Sequence, residues 1–396
     1  MTLGRLTAAL RARGHAVSIV RPRLRASFWL EVVGELDTTW VPGAPMPGYR
    51  DVRLGWPATR RLGRAWTAHR PEAVYVATPG PLGWAAVRTA RRLGIRVFSG
   101  YHTNFADYAC HYGARWLARA IGAGLRAFHN RTLGTLVPSV DLMRRLRSAG
   151  FENLTLLGRG VDCRLFSPTR RDAALRAQWG ARGDELIALY VGRIAAEKNV
   201  ALAIEAYRTM KRAGLARQLV VVGDGPLRET LQRAHPDVLF CGAQTGLALA
   251  SHYASADVFL FPSETETFGN VVLEAMASRL VVVAYDYAAA GAHLRAGDLG
   301  VLVPRGASGA FVSAAVEAAQ APATVARMRE RAREAALALD WDAVVDGFER
   351  FLSSGEVAGA RARHRDAGGR STRPRPRPEP GGVRARPEKE AWHGAH

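Results

Sequence analysis

Two glutamates frame an expected helix start. In SETETFGNVVLEAMAS, Glu266 precedes the helix and Glu274 lies just over one turn inside it, with Phe268, Gly269, Asn270 and Val271 between them. Backbone N–H groups at a helix N-terminus have no intrahelical partner and suit phosphate oxygens. Glycine there lets a ligand approach the backbone closely. A carboxylate one turn into such a helix can accept hydrogen bonds from ribose hydroxyls, and one just before it can face a sugar. Spacing alone favours an ordinary exposed glutamate pair. The segment, however, directly follows the strand-like DVFLFP, and ligands of open α/β sheets bind at the carboxyl ends of strands.

A second loop, YVGRIAAEKN, places Gly192, Arg193 and Lys198 directly after another strand-like run. Two cations five positions apart, leading into a helix, suit a diphosphate whose charge grows as a sugar leaves; the competing account is a solvated charge pair. Lys198 is one of only three lysines, with Lys211 and Lys389, in a chain that otherwise writes arginine. Arginine and lysine are not interchangeable, so a retained ammonium stands out. A third loop, VVGDGPLRETL, offers Gly223, Asp224 and Gly225 before Pro226, although Gly, Asp and Pro also make turns for structural reasons. In the N-terminal half, SGYHTNFADYACHYG follows the strand-like IRVFS and puts Tyr101, His102, Thr103 and Asn104 where that half would face a cleft, on the acceptor side. His102 is divided evenly between a structural role and contact with a sugar hydroxyl or the reacting centre. No DxD pair stands in a suitable loop, so neither a metal nor a cofactor is expected.

The elements that must carry these loops alternate between strand and helix. They run from HAVSIVR through PEAVYVAT, IRVFSGYHT and GTLVPSV, then restart with ELIALYVGR and continue through RQLVVVGDG, DVLFCGA, DVFLFPS, VVVAYD and GVLVP. Such alternation predicts parallel sheets covered by helices, in two doubly wound, Rossmann-like α/β domains facing a cleft. LTLLGRGVDCRLFSPTRRD interrupts the pattern and reads as an interdomain linker. The expected division is 1–165 for an acceptor-side domain, 166–340 for a donor-binding domain, 341–354 for a terminal helix returning to the first, and 355–396 for a disordered tail rich in Arg, Pro and Gly. The chain opens on a helix where a doubly wound domain opens on a strand and Gly-rich loop. A strand with a Gly-containing loop is therefore expected upstream of Met1, so the first N-domain strand is expected to be missing from this sequence.

The 396 residues suffice for two cores, and the net charge of +20 attracts phosphates, anionic lipid or nucleic acid. No aromatic-interleaved basic motif supports a specific nucleic-acid partner. Charges every few residues near the N-terminus exclude a secretory signal there. Cys110, Cys163 and Cys241 are odd in number and form no CxxC, which fits a reducing cytoplasm better than a disulfide or zinc framework. ARWLARAIGAGLRAFHNR, at 114–131, is a basic amphipathic helix that either lies on an anionic membrane at the inner face of the cell membrane or packs its apolar stripe on the sheet.

ETFGNVVLE, VGRIAAEKN, VGDGP and YHTNF together resemble the family-4 retaining glycosyltransferases of GT-B fold, and within them the GDP-mannose-dependent α-mannosyltransferases that act on lipids. The resemblance runs from about Thr2 to Leu352. It implies Arg193 and Lys198 on the donor diphosphate, Glu266 on the donor sugar and Glu274 on the ribose. It also implies backbone contacts from Phe268 to Val271, and His102 beside the reacting carbon. The expected function is transfer of a hexose, mannose from GDP-mannose, to a lipid or glycolipid acceptor with retention. The N-domain offers no clear carboxylate nucleophile, which favours a front-face reaction over double displacement. A UDP-sugar donor, or a noncatalytic remnant that only binds nucleotide sugars, are the alternatives. Where the family shows Gly and then Leu-Pro after EAMAS, this chain has Arg279, Leu280 and Val281, so a local distortion at that helix end is expected.

Overall fold

The computed structural model describes residues 2–23, 37–46, 49–102, 115–294, 299–320 and 322–354. In the N-terminal half, β1 (Ser18–Pro22) pairs in parallel with β2 (Asp37–Val41), and β3 (Gly43–Met46) pairs antiparallel with β4 (Tyr49–Gly55). Next, β5 (Ala73–Val76), β6 (Arg96–Gly100), β7 (Thr135–Val137) and β8 (Leu154–Leu156) form a parallel sheet in chain order. Among the described residues the β1–β2 pair and this sheet are not hydrogen-bonded to each other.

The C-terminal half is one parallel sheet of β9 (Ile187–Val191), β10 (Gln218–Val222), β11 (Leu239–Gly242), β12 (Val258–Phe261), β13 (Val281–Tyr285) and β14 (Val301–Val303), in the order β11-β10-β9-β12-β13-β14. Every residue of IALYV in β9 and VVVAY in β13 is buried, as apolar runs without alternation require when helices cover both faces. The chain steps outward from β9 to β11 and then returns to β12 on the other side. The loops leaving the adjacent strands β9 and β12 therefore diverge, and a crevice opens between them at the carboxyl edge.

The terminal helix Trp341–Ser353 lays Val345, Phe348 and Phe351 against Leu6, Leu10, Phe98 and Leu136 of the N-terminal half. A side chain at Gly134 would collide with the Phe351 ring at 2.7 Å, so glycine is what admits this contact. The basic helix Arg115–His129 buries Leu125 and Phe128, the latter edge-on to Trp84 at 5.3 Å. Its carboxyl half thus packs in the protein interior; the side chains of Trp116 and Leu117 lie outside the described residues. Among the described residues no helix is long and apolar enough to cross a membrane.

Two sequence expectations change here. The stretch read as linker begins with β8, whose three residues are too few to display alternation. The helices Thr59–Ala68 and Val140–Ser148 and the strands β2 to β4 had no counterpart in the sequence reading. The tail 355–396 lies outside the described residues.

At the end of helix Asn270–Ala277, Arg279 holds the left-handed conformation with φ 66°, while the N–H of Leu280 reaches back to Ala275 O at 3.0 Å. This is the position that glycine fills at least cost. Arg279→Gly is expected to raise stability by about 1 kcal/mol, read as a higher urea midpoint. The exposed pair with Glu330 offsets little of that.

Candidate active site

A cavity of about 310 Å³ lies at the crevice, lined by Val191 at the end of β9 and Gly192, Arg193 and Lys198 after it, by Phe261 and residues 265–271 around the end of β12, and by His102 and Arg159 from the N-terminal half. Sequence reasoning thus placed Gly192, Arg193, Lys198, Glu266, Phe268, Gly269, Asn270, Val271 and His102 in loops that the fold brings to one wall or another of a single cavity.

Its charges are paired in a definite way. Lys198 Nζ donates to Glu266 Oε1 at 2.5 Å, to Thr265 O at 2.8 Å and to Ser263 Oγ at 3.3 Å. Ser263 Oγ in turn donates to the same Glu266 oxygen at 2.9 Å. Arg193 lies 3.7 Å from the buried carboxylate of Glu197, a residue the sequence did not single out. The N–H of Glu264 donates to Glu197 O at 2.9 Å, tying the two loops together. Gly269 caps the following helix with φ 93°, a conformation that penalises any side chain. The helix that begins at Asn270 thus points its N-terminus at the cavity, and the buried Asn270 Oδ1 has no hydrogen-bond partner in the protein.

Gly223, Asp224 and Gly225 do not line the cavity. A Cβ on Gly223 would strike Gly192 O and one on Gly225 would strike Ile194 O, and Ile194 N donates to Asp224 O at 2.9 Å. Close backbone approach explains both glycines; the loop buttresses the Arg193 loop from behind. Asp224 caps its own turn at Gly225 N and pairs with Arg228 at 3.1 Å.

Glu274 also stays off the cavity wall. It is 9% exposed, and its Oε2 accepts the Tyr253 hydroxyl at 2.9 Å. Burial pushes its carboxyl up to about 7, against which the Tyr253 bond works. The unfolded value is roughly 4.3, so the folded state holds a proton that the unfolded state releases. This contribution to stability is present below that value and is lost as pH rises through about 7. Glu274→Gln keeps an acceptor for Tyr253 and removes the charge. At pH 8 it is expected to raise stability by on the order of 2 kcal/mol, with the gain vanishing near pH 4. Chemical denaturation at both pH values checks this; an equal gain at each would refute it.

In the N-terminal half, strand alternation decides which residues face the cavity. Gly100 and His102 share one face, while Tyr101 turns to the other and is 4% exposed, packed with Leu125, Val137 and Phe151. The acceptor-side expectation for Tyr101 is therefore corrected. Thr103 and Asn104 lie outside the described residues. His102 Nε2 is 2.8 Å from Tyr75 Oη, and Arg159 Nη2 is 3.4 Å from His102 Nδ1. A guanidinium only donates, so Nδ1 accepts and the N–H on Nε2 donates to Tyr75. Burial, reinforced by the Arg159 charge, lowers the His102 pKa to about 4. His102 accordingly presents a neutral imidazole. A Cβ on Gly100 would overlap both Tyr75 Oη and His102 Nε2, so this glycine makes the pair possible.

The Glycosyltransferase Family 4 profile matches residues 1–165 and the profile for Glycosyl transferases group 1 matches residues 185–321. A GDP-mannose-dependent alpha-mannosyltransferase of Mycobacterium tuberculosis is 39% identical over 246 residues, covering 62% of this chain and 63% of the relative. The chain thus spans less than two thirds of that relative's length. A GDP-mannose-dependent alpha-(1-6)-phosphatidylinositol dimannoside mannosyltransferase of the same species is 31% identical over 283 residues, covering 69% of this chain and 71% of the relative. Among solved structures, Anabaena HepE in complex with UDP superposes with a TM-score of 0.71 at 18% identity, over 89% of this chain and 95% of that one. The two parallel, helix-covered sheets are the GT-B fold, and the chain belongs to the family-4 glycosyltransferases.

Proposed function

We propose that this protein is a retaining hexosyltransferase that moves mannose from GDP-mannose to a lipid or glycolipid acceptor. The observation that carries the reading is the convergence of Arg193, Lys198 and the open N-terminus of the Asn270 helix on one cavity at the crevice between β9 and β12. That combination suits a sugar diphosphate. The names of the relatives support mannose and a glycolipid acceptor.

In the front-face reaction, the bond from the anomeric carbon to the leaving phosphate oxygen breaks as the acceptor oxygen bonds to the same face. The acceptor proton passes to the departing phosphate oxygen. Arg193 and Lys198 stabilise the charge that builds on the diphosphate. Glu266 receives a donor-sugar hydroxyl and His102 stands by the reacting carbon as a neutral group, while Glu274, buried on Tyr253, carries no contact in this reading. A second, exposed cleft lined by Arg60, Arg64 and Arg92, with Trp56 57% exposed nearby in sequence, supports peripheral contact with anionic lipid at the inner face of the cell membrane.

Thermal shift with GDP-mannose, UDP-glucose and other nucleotide sugars tests the donor, because a ligand of the native state raises apparent stability. GDP-mannose should give the largest shift; a larger UDP-sugar shift overturns the choice of base. Sugar transfer into lipid extract then separates an enzyme from a protein that only binds the donor.

A further inference from the structure

Arg159 stands in the LGRGVD stretch, between Gly158 and Gly160, where the chain passes from one half to the other. Its seat is fixed. A side chain at Gly160 would meet the Trp341 backbone nitrogen at 2.9 Å, and Val161 N donates to Leu339 O at 3.1 Å, so the linker lies directly against the returning C-terminal segment. From that seat the guanidinium enters the cavity, with Nη2 3.4 Å from His102 Nδ1 and its carbon 5.8 Å from the centre of the Phe268 ring. Burial lowers the guanidinium pKa from its usual value, yet arginine remains charged in proteins.

Phe268 immediately precedes Gly269 and the N-terminus of the Asn270 helix, the place where a diphosphate would lie. A cation 5.8 Å from the centre of the Phe268 ring therefore shares one cavity with that helix N-terminus and is within reach of a diphosphate held there. Arg193 and Lys198 line the same cavity from the loop after β9. An arginine also offers a fork that matches two phosphate oxygens at once.

Resting on the glycosyltransferase reading above, we propose that Arg159 is a third cation of the donor site, reaching from the interdomain linker to the β-phosphate of a nucleoside diphosphate. The group it grips is the one that leaves. In the transfer step the bond from the anomeric carbon to the β-phosphate oxygen breaks, and the electron pair stays on that oxygen beside the guanidinium. Its placement next to His102 sets the gripped phosphate at the side where the acceptor must arrive.

The test is calorimetric titration of the full chain with GDP and with GMP, for wild type, Arg159→Gln and Arg159→Lys. A contact specific to the β-phosphate predicts that Arg159→Gln weakens GDP binding by about tenfold to a hundredfold and leaves GMP binding within about threefold. Arg159→Lys, which keeps the charge without the fork, should fall between. A merely structural role would weaken both nucleotides together, and that result overturns the proposal, as does an unchanged preference for GDP over GMP in Arg159→Gln. If wild type itself binds neither nucleotide, the donor reading fails and takes this contact with it. If wild type prefers GDP and the variant keeps that preference, only the role of Arg159 falls.

Discussion

Lys198→Ala is expected to lower turnover by about a hundredfold to a thousandfold, as loss of one preorganised donor to a developing negative charge does. The geometry adds a second effect. Lys198 is the cation that Glu266 Oε1 meets at 2.5 Å, and its removal leaves that carboxylate with the Ser263 hydroxyl alone among the bonds described here. An uncompensated carboxylate then faces the incoming diphosphate and repels it. Donor KM should therefore rise too, by less than turnover falls. Adding Glu266→Gln removes the repulsion, so the double variant should recover part of the donor affinity and none of the turnover, a coupling that a double-mutant cycle isolates. Steady-state kinetics with subsaturating and saturating donor separates the two effects. Turnover that is unchanged in Lys198→Ala would refute the role assigned to it.

The loops that line the cavity after β9 and β12 were legible in the sequence because their chemistry is local. Gly192, Arg193 and Lys198 lie within seven consecutive residues, and Glu266 through Val271 within six, each group directly after an apolar run that only a covered strand explains. What brings the two loops together is sheet order, which alternation alone does not encode. The miss at Tyr101 is of another kind: a period of two already places Gly100 and His102 on one face and Tyr101 on the other, and the string was read as a unit. Tyr75 and Arg159 were not legible, since they meet His102 across sequence separations of 27 and 57 residues. Gly223 and Gly225 show the limit of motif reading. A glycine that admits a ligand and a glycine that admits a neighbouring backbone look alike until the neighbour is seen, and here it is the Gly192 to Ile194 segment.

The largest effect on stability is expected far from the cavity, at Asp257→Asn. Asp257, immediately before β12, is 8% exposed, and both its oxygens are committed: Oδ1 accepts from Arg171 at 3.0 Å, and Oδ2 from Arg176 at 3.0 Å and from Ile187 N at 2.9 Å. Arg329 approaches to 3.7 Å. Arg176 is itself 5% exposed and gives its other bonds to the carbonyls of Ser255, Gly183 and Glu185. Asparagine preserves the shape and abolishes the charge, leaving buried guanidinium groups without their counter-ion. Removing one partner of a buried pair costs about 3 to 5 kcal/mol, a large share of a domain's stability. The urea midpoint, followed through Trp179 in the same core, should fall accordingly; a change below about 0.5 kcal/mol, the range of an ordinary surface substitution, would show that the network contributes little. The network also ties Ile187, the first residue of β9, to the first turn of chain entering β12. The cavity opens at the other ends of these strands, roughly 13 Å away at 3.3 Å per residue. The fraction of Asp257→Asn that remains folded should therefore turn over donor at the wild-type rate, which separates what holds the two central strands in register from what their loops do.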